Sequence, residues 1–295
     1  MTDSDHGLGT GSPNGDRRPT SADVDPVVEL EGVTRDFRRG GETISALGPI
    51  GLGIGHREFV SLIGPSGCGK STLLNVVAGL LPPSEGRVFV SGREVDGTPA
   101  EIGMMLQDAV LLDWRTAVQN VLLPIEIAGG RRAAKQAEGR ARNLLALVGL
   151  TGFEDTYPDE LSGGMQQRVA ICRMLIADPE VLLLDEPFGS LDEITRERMN
   201  VELERIFDAH GQAALFVTHN IQESVFLSDR VVVMTERPGR IAGVVEVDLP
   251  RPRDPDLVTA PEFQELVRQT RGFLNLGSGV NQPGPDVADS AKVDR

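Results

Sequence analysis

Three short stretches combine side chains and glycines in patterns suited to one chemistry, the handling of phosphate. Gly64-Pro65-Ser66-Gly67-Cys68-Gly69-Lys70-Ser71 satisfies G-x-x-x-x-G-K-[ST] in full. An apolar run, Phe59–Ile63, leads into it, and Thr72-Leu73-Leu74 opens a helical pattern behind it. Glycines let backbone N–H groups curl around phosphate oxygens with no Cβ in the way, and a helix N-terminus adds partial positive charge. In such a loop Lys70 reaches the β- and γ-phosphates and the Ser71 hydroxyl binds Mg²⁺. The chain has only three lysines, Lys70, Lys135 and Lys292, and uses arginine almost everywhere else. Keeping the compact ammonium at position 70 fits a charge that must sit between phosphates, where a guanidinium fork is too wide.

The second stretch, Val181-Leu182-Leu183-Leu184-Asp185-Glu186, is an apolar run ending in two carboxylates. Such a run suits a parallel strand buried on both faces, with its carboxylates emerging at the C-terminal edge where α/β sheets bind ligands. Asp185 is placed to hold Mg²⁺ through water, and Glu186 to orient or deprotonate an attacking water, an effect worth about 10²–10⁴-fold. Acidic residues also begin ordinary turns, so this pair gains its meaning from the phosphate loop. The third stretch is Leu161-Ser162-Gly163-Gly164-Met165-Gln166-Gln167-Arg168, followed by a helical segment. Ser162 can cap that helix, and the two glycines expose N–H groups to a second anion.

The elements that must position these stretches read as an α/β alternation. Strands are predicted at Val27–Glu31, Glu58–Ile63, Arg87–Val90, Ile102–Leu106, Val181–Asp185, Ala214–Thr218 and Arg230–Met234. Helices are predicted near Lys70–Ala78, Arg131–Val148, Gly163–Ala177 and Thr195–Ala209, with another over Pro261–Leu274. Strands early, helices in the middle and βα alternation at the end imply an α/β core with a helical insertion. Residues 1–26 and 277–295, rich in Gly, Ser, Pro and Asp, read as disordered tails.

Composition narrows the function. With 29 basic against 44 acidic residues the formal net charge is −15, which repels a polyanion and argues against nucleic-acid binding. No run approaches the ~18 apolar residues of a membrane helix, and the polar, acidic N-terminus predicts no secretion signal. Two cysteines, Cys68 and Cys172, supply no disulfide framework, as suits a reducing compartment.

Together these motifs resemble the ABC ATPase family, whose signature LSGGQ reads LSGGM here, with Met165 in the last place. The resemblance spans about residues 27–250 and implies further roles. Phe37 falls where an aromatic stacks on adenine. Gln107 resembles the glutamine that touches Mg²⁺ and the transport subunit. Ser190-Leu191-Asp192 resembles the D-loop, and His219 the switch histidine that contacts the γ-phosphate. Taken alone, Phe37 is as well explained as a core aromatic, Gln107 as a polar residue after a strand and His219 as a structural histidine. Cys68 reads as a small filler and Cys172 as core.

The implied fold is a P-loop NTPase core of α/β class with an antiparallel β subdomain. A helical insertion subdomain is expected at about 108–177, and a C-terminal helical extension over 251–276. In this family the phosphate loop of one subunit and the signature of another clasp the same ATP, which implies a homodimer when ATP is bound. The family also implies ATP and Mg²⁺ as cofactors, a polytopic membrane permease and an extracytoplasmic solute-binding protein as partners, and a place at the cytoplasmic face of the membrane. Leu111-Leu112-Asp113-Trp114-Arg115-Thr116 and Tyr157-Pro158-Asp159-Glu160 resemble stretches of the nitrate/sulfonate/taurine importer subfamily, with Asp113 and Asp159 departing from it. Trp114 is either a docking anchor for the permease or a residue packing the helical insertion onto the core. A soluble ABC ATPase, or one serving lipoprotein release or cell division, stands as the alternative. The single P-loop and the lack of sustained heptads argue against translation and DNA-maintenance types.

Overall fold

The computed structural model describes residues 25–189 and 191–277. The tails expected over 1–26 and 277–295, apart from their innermost residues, and Ser190 of the D-loop stretch lie outside the described residues. The chain opens with a hairpin of β1 (Val28–Arg39) and β2 (Glu42–Ile54), then β3 (Phe59–Ile63) and α1 (Lys70–Val77). Next come β4 (Glu85–Val90), β5 (Arg93–Glu94), β6 (Ile102–Met105), and the helices α2 (Ala117–Val121), α3 (Leu123–Leu147) and α4 (Gly163–Leu175). The remainder is β7 (Val181–Asp185), α5 (Glu193–His210), β8 (Ala213–Val217), α6 (Ile221–Leu227), β9 (Arg230–Met234), β10 (Ile241–Glu246) and α7 (Pro261–Gly277).

Two sheets form. The first runs β2-β1-β4-β5 and is antiparallel; the second runs β10-β9-β3-β8-β7-β6 and is parallel except for β10 on β9. The parallel strands are short apolar runs, FVSLI, VLLLD, AALFV and RVVVM, because both of their faces are covered. Alternation sorts their side chains into two layers. Phe59, Ile63, Leu182, Leu184, Phe216 and Val231 join the helical side with α4 and α5. Val60, Leu62, Leu183, Leu215 and Val232 join α1 and the antiparallel sheet. Phe59 anchors the first layer, with its ring 4.9 Å from Phe207 and 5.7 Å from Phe216.

The register is flat across the middle of the sheet. Met105 pairs with Leu184, Leu184 with Phe216, and Phe216 with Ser61. Strands β6, β7, β8 and β3 therefore end at one edge, and whatever follows each of them meets there. Between β6 and β7 the chain leaves the sheet to build α2, α3 and α4, with α3 broken at Gly130 (φ 75°).

The sequence reading located the parallel strands to within a residue but missed β2, β5, β10, α2 and α6. Pro49 and glycines 48, 51 and 53 hide β2, which holds its pairing with β1 through register shifts. The helix expected over Arg131–Val148 is the part of α3 that follows the break at Gly130; the turns before that break, opening at Leu123 with Pro124 in the first turn where its missing N–H costs nothing, were not expected.

At the C-terminal end α7 packs on β9, β10 and α6, with Phe263, Val267 and Thr270 buried on successive turns. Phe263 is fully buried, so Phe263→Ala leaves a cavity and is expected to cost about 3–5 kcal/mol in denaturant unfolding. A cost below about 1 kcal/mol would mean that α7 is not part of the core.

Candidate active site

The phosphate loop is fixed from three sides. Gly69 caps α1 at φ +110°, and a Cβ there would fall 2.6 Å from Leu47 Cδ2 and 2.9 Å from Ala46 O. Only glycine lets the loop and the β1–β2 hairpin approach so closely. Gly64 is similarly walled in, with Cys68 Sγ and Met234 about its Cα. Arg237, from the turn after β9, donates from Nε to Gly67 O at 3.2 Å. Within the loop Lys70 is buried and donates from Nζ to Gly64 O (2.9 Å) and Pro65 O (3.1 Å). Its ammonium thus lies inside the curl of backbone that the motif forms. Cys68 is buried too, and burial pushes its thiol up from the ordinary value, which keeps it a neutral filler.

The carboxylates arrive from β7. Asp185 Oδ1 accepts from Ser71 Oγ at 3.0 Å, joining the end of β7 to the first turn of α1. Burial raises the Asp185 carboxyl above its ordinary range, against the pull of the Ser71 hydrogen bond. Ser71 Oγ and Asp185 Oδ1 are two hard oxygen donors side by side. Among the described residues no three His, Cys, Asp or Glu side chains gather as a metal cage. That donor set fits Mg²⁺, which keeps waters and shares phosphate oxygens rather than filling a protein cage.

Glu186 has φ +43°, a left-handed conformation that costs a non-glycine residue about 1–3 kcal/mol. Its N–H bonds Val217 O (2.9 Å) and its own carbonyl accepts from Gly189 N (3.0 Å), so the turn is held in spite of that cost. The turn aims Oε2 at His219 Nδ1, 3.0 Å away, just past the end of β8. His219 is largely exposed, with 57% of its side chain accessible. Gln107 follows β6. A Cβ built on Gly189 would lie 3.6 Å from Glu186 Oε2 and 3.7 Å from Gln107 Nε2, so both groups border one glycine. Lys70, Ser71, Asp185, Glu186, His219 and Gln107 therefore meet at the edge where β3, β7, β8 and β6 end. Thr72 continues α1 beneath them, and Pro65 and Ser66 complete the loop.

Two predicted groups lie apart. Ser162 caps α4, its Oγ accepting from Met165 N at 3.3 Å, with Ser162 and Gly163 exposed and Met165 partly packed on the core. Among the described residues no hydrogen bond joins residues 162–165 to residues 64–72. Phe37 sits on β1 opposite Ile44, 36% exposed, with the Arg35 guanidinium 4.9 Å over its ring. The neighbouring β2 residues Ala46 and Leu47 are the ones that touch Gly69.

Sequence reading missed several side chains that steady these groups. Gln167 Nε2 donates to Gln107 O (3.1 Å), and Arg173 Nη1 donates to Val110 O (2.8 Å), so α4 holds the segment after β6. Arg196 donates to Phe188 O (3.3 Å) and Leu191 O (2.8 Å), holding the chain between Glu186 and α5. Their partners in the segment after β6 lie some sixty residues off, and no local pattern announces such contacts.

The ABC transporter family profile matches residues 47–189. A relative from Methanocaldococcus jannaschii, described as an uncharacterized ABC transporter ATP-binding protein, is 45% identical over 240 residues, covering 81% of this chain and 89% of that one. A taurine import ATP-binding protein from Rhizobium johnstonii is 44% identical over 242 residues, covering 80% and 92%. Others at 39–43% identity are import ATP-binding proteins named for aliphatic sulfonates, nitrate and bicarbonate. Among solved structures, a dimeric ATP-binding cassette in a post-hydrolysis state with ADP and Pi superposes with a TM-score of 0.67 at 32% identity. It covers 75% of this chain and 99% of that one. The chain belongs to the ABC transporter family, as one of its ATP-binding subunits, and its fold is the ABC ATPase cassette.

Because the Asp185 carboxyl is raised in the folded state, the fold favours its neutral form. The resulting penalty is fully present above the folded pKa and fades as pH falls through it. Asp185→Asn is therefore expected to raise the melting temperature of the nucleotide-free protein at pH 7, by an amount that shrinks toward acid, while abolishing hydrolysis. A lower melting temperature at pH 7 would contradict this reading of the site.

Proposed function

We propose that this chain is the ATP-hydrolysing engine of an importer, driving a small solute through a separate polytopic permease from the cytoplasmic face of the membrane. What carries the reading is the convergence of Lys70, Ser71, Asp185, Glu186, His219 and Gln107 at one sheet edge.

Residues 64–72 hold the phosphates of ATP, with backbone N–H groups and Lys70 supplying the positive charge. Ser71, with Asp185 and Gln107, would hold Mg²⁺, which would supply positive charge against the phosphates. Phe37 offers one ring face to adenine, with Arg35 backing the other. Glu186 orients the attacking water and accepts its proton, and His219 contacts the γ-phosphate. Ser162, Gly163, Gly164 and Met165 of a second copy close over the same nucleotide, giving a homodimer when ATP is bound. ATP touches both faces only in the closed pair, so it favours closure, and hydrolysis removes that preference.

Trp114 supports a transporter over a soluble ATPase. It is 72% exposed, and Leu106 and Val110 earlier in the same segment are also exposed. An exposed tryptophan with aliphatic neighbours suits an anchor in a partner's groove and leaves no role for it in packing the insertion. The carriers named among the relatives handle taurine, sulfonates, nitrate and bicarbonate, all bearing a compact oxyanion group. We place the solute in that class, delivered by an extracytoplasmic binding protein.

Two variants test this. Glu186→Gln is expected to keep ATP affinity, lower turnover at least about 10²-fold and accumulate an ATP-bound dimer on size exclusion; unchanged turnover removes Glu186 from its role. Trp114→Ala is expected to keep the ATPase activity of the purified chain but lose co-purification of a polytopic membrane protein in mild detergent. Equal recovery from both chains would exclude Trp114 as the anchor.

A further inference from the structure

His219 presents a physical difficulty. With 57% of its side chain accessible, it has little packing to hold it, yet Nδ1 stands 3.0 Å from Glu186 Oε2. Its position must come from the backbone on either side, and both flanking residues are tied to Glu223, Thr218 through the buried carboxyl and Asn220 through the backbone N–H. Glu223, in the first turn of α6, is 6% exposed. Its Oε2 accepts a short hydrogen bond from Thr218 Oγ1. The same hydroxyl oxygen accepts from Asn220 N at 3.1 Å. Asn220 Oδ1 in turn accepts from Glu223 N at 3.1 Å, capping α6. Residues 218, 220 and 223 thus close a ring of bonds that brackets the exposed His219.

The ring also reaches α5. The Asn200 side chain contacts the Glu223 carboxyl, and the Arg196 guanidinium acts on it. Arg196 is the residue that fixes Phe188 and Leu191, downstream of Glu186. Burial raises the Glu223 carboxyl, and its second oxygen has no hydrogen-bond partner. A carboxyl kept in such a place without a full set of partners is costly as mere filling.

We propose that Glu223 is a positioning residue for hydrolysis: through Thr218 and Asn220 it sets the turn that presents His219 to Glu186 and the γ-phosphate. The proposal rests on the reading of His219 given above. Glutamine can accept the Thr218 hydroxyl as glutamate does, whereas alanine cannot.

The test is steady-state ATPase kinetics of the full chain for His219→Ala, Glu223→Ala, Glu223→Gln, Thr218→Val and the Thr218→Val/Glu223→Ala pair. The expected result is a kcat lowered roughly tenfold or more by Glu223→Ala with KM for ATP within about threefold, and recovery to within about threefold of wild type with glutamine. The double variant should lose no more than the worse single one, since the two residues act as a unit. If Glu223→Ala does not fold, Thr218→Val carries the same expectation, because it removes the donated hydroxyl at nearly constant shape. Loss of activity in His219→Ala with full kcat in Glu223→Ala or, failing that, Thr218→Val overturns the proposal alone. Full kcat in His219→Ala overturns the reading beneath it as well. A glutamine variant as damaged as alanine, or losses that multiply in the double variant, would mark Glu223 as structural.

Discussion

A nucleoside triphosphate is a polyanion, and this chain carries a formal net charge of −15. The electrostatic problem of holding the one on the other shapes the rest of the molecule. The side-chain cations at the loop are few: Lys70 inside its curl and Arg237, bonded to Gly67 O. Most of the positive potential must come from backbone N–H groups at the start of α1, which needs glycines where the chain curls and a strand that delivers the loop to the sheet edge. The close contact of Gly69 with Ala46 and Leu47 makes the antiparallel hairpin part of that delivery. Once β3 is fixed at the centre, its in-register neighbours β8, β7 and β6 bring histidine, carboxylates and glutamine to the same level without further devices.

In the proposed dimer this arrangement is one half of a shared site. Ser162 and the glycines after it crown α4 on the helical layer, and among the described residues no hydrogen bond joins them to the phosphate loop of their own chain. Helix α4 nevertheless communicates with the edge, because Gln167 and Arg173 bond the carbonyls of Gln107 and Val110. The segment so held runs on to the exposed Trp114. If Trp114 docks on a permease as proposed, a movement of the helical layer would shift that residue and the Gln107 backbone together.

Much of this was legible in the sequence where the determinants are local. The phosphate loop, the strand ending in Asp185-Glu186 and the cap at Ser162 each depend on residues a few places apart, and each was read from them. The parallel strands were legible because burial on both faces leaves a continuous apolar run. Strand β2 was not, since Gly48, Pro49, Gly51 and Gly53 erase its alternation and only pairing with β1 sustains it. Phe37, Gln107 and His219 entered through family resemblance, because their chemistry arises from neighbours supplied by other strands. Glu223, Arg196 and Arg237 gave no signal at all. An isolated glutamate or arginine in a helix or turn has no pattern, and its meaning is set by which loop lies across from it.

The claim on which the account turns is that two copies share each site, and complementation tests it most directly. Lys70→Ala breaks the phosphate loop and Ser162→Arg blocks the signature, so each chain alone should be inactive. Mixed one to one, half of the symmetric pairs are mixed, and each mixed pair has one intact site of two. Turnover should then recover to about a quarter of wild type if the sites act independently. Activity no higher than that of the two inactive chains measured separately would contradict the shared site and with it the proposed dimer.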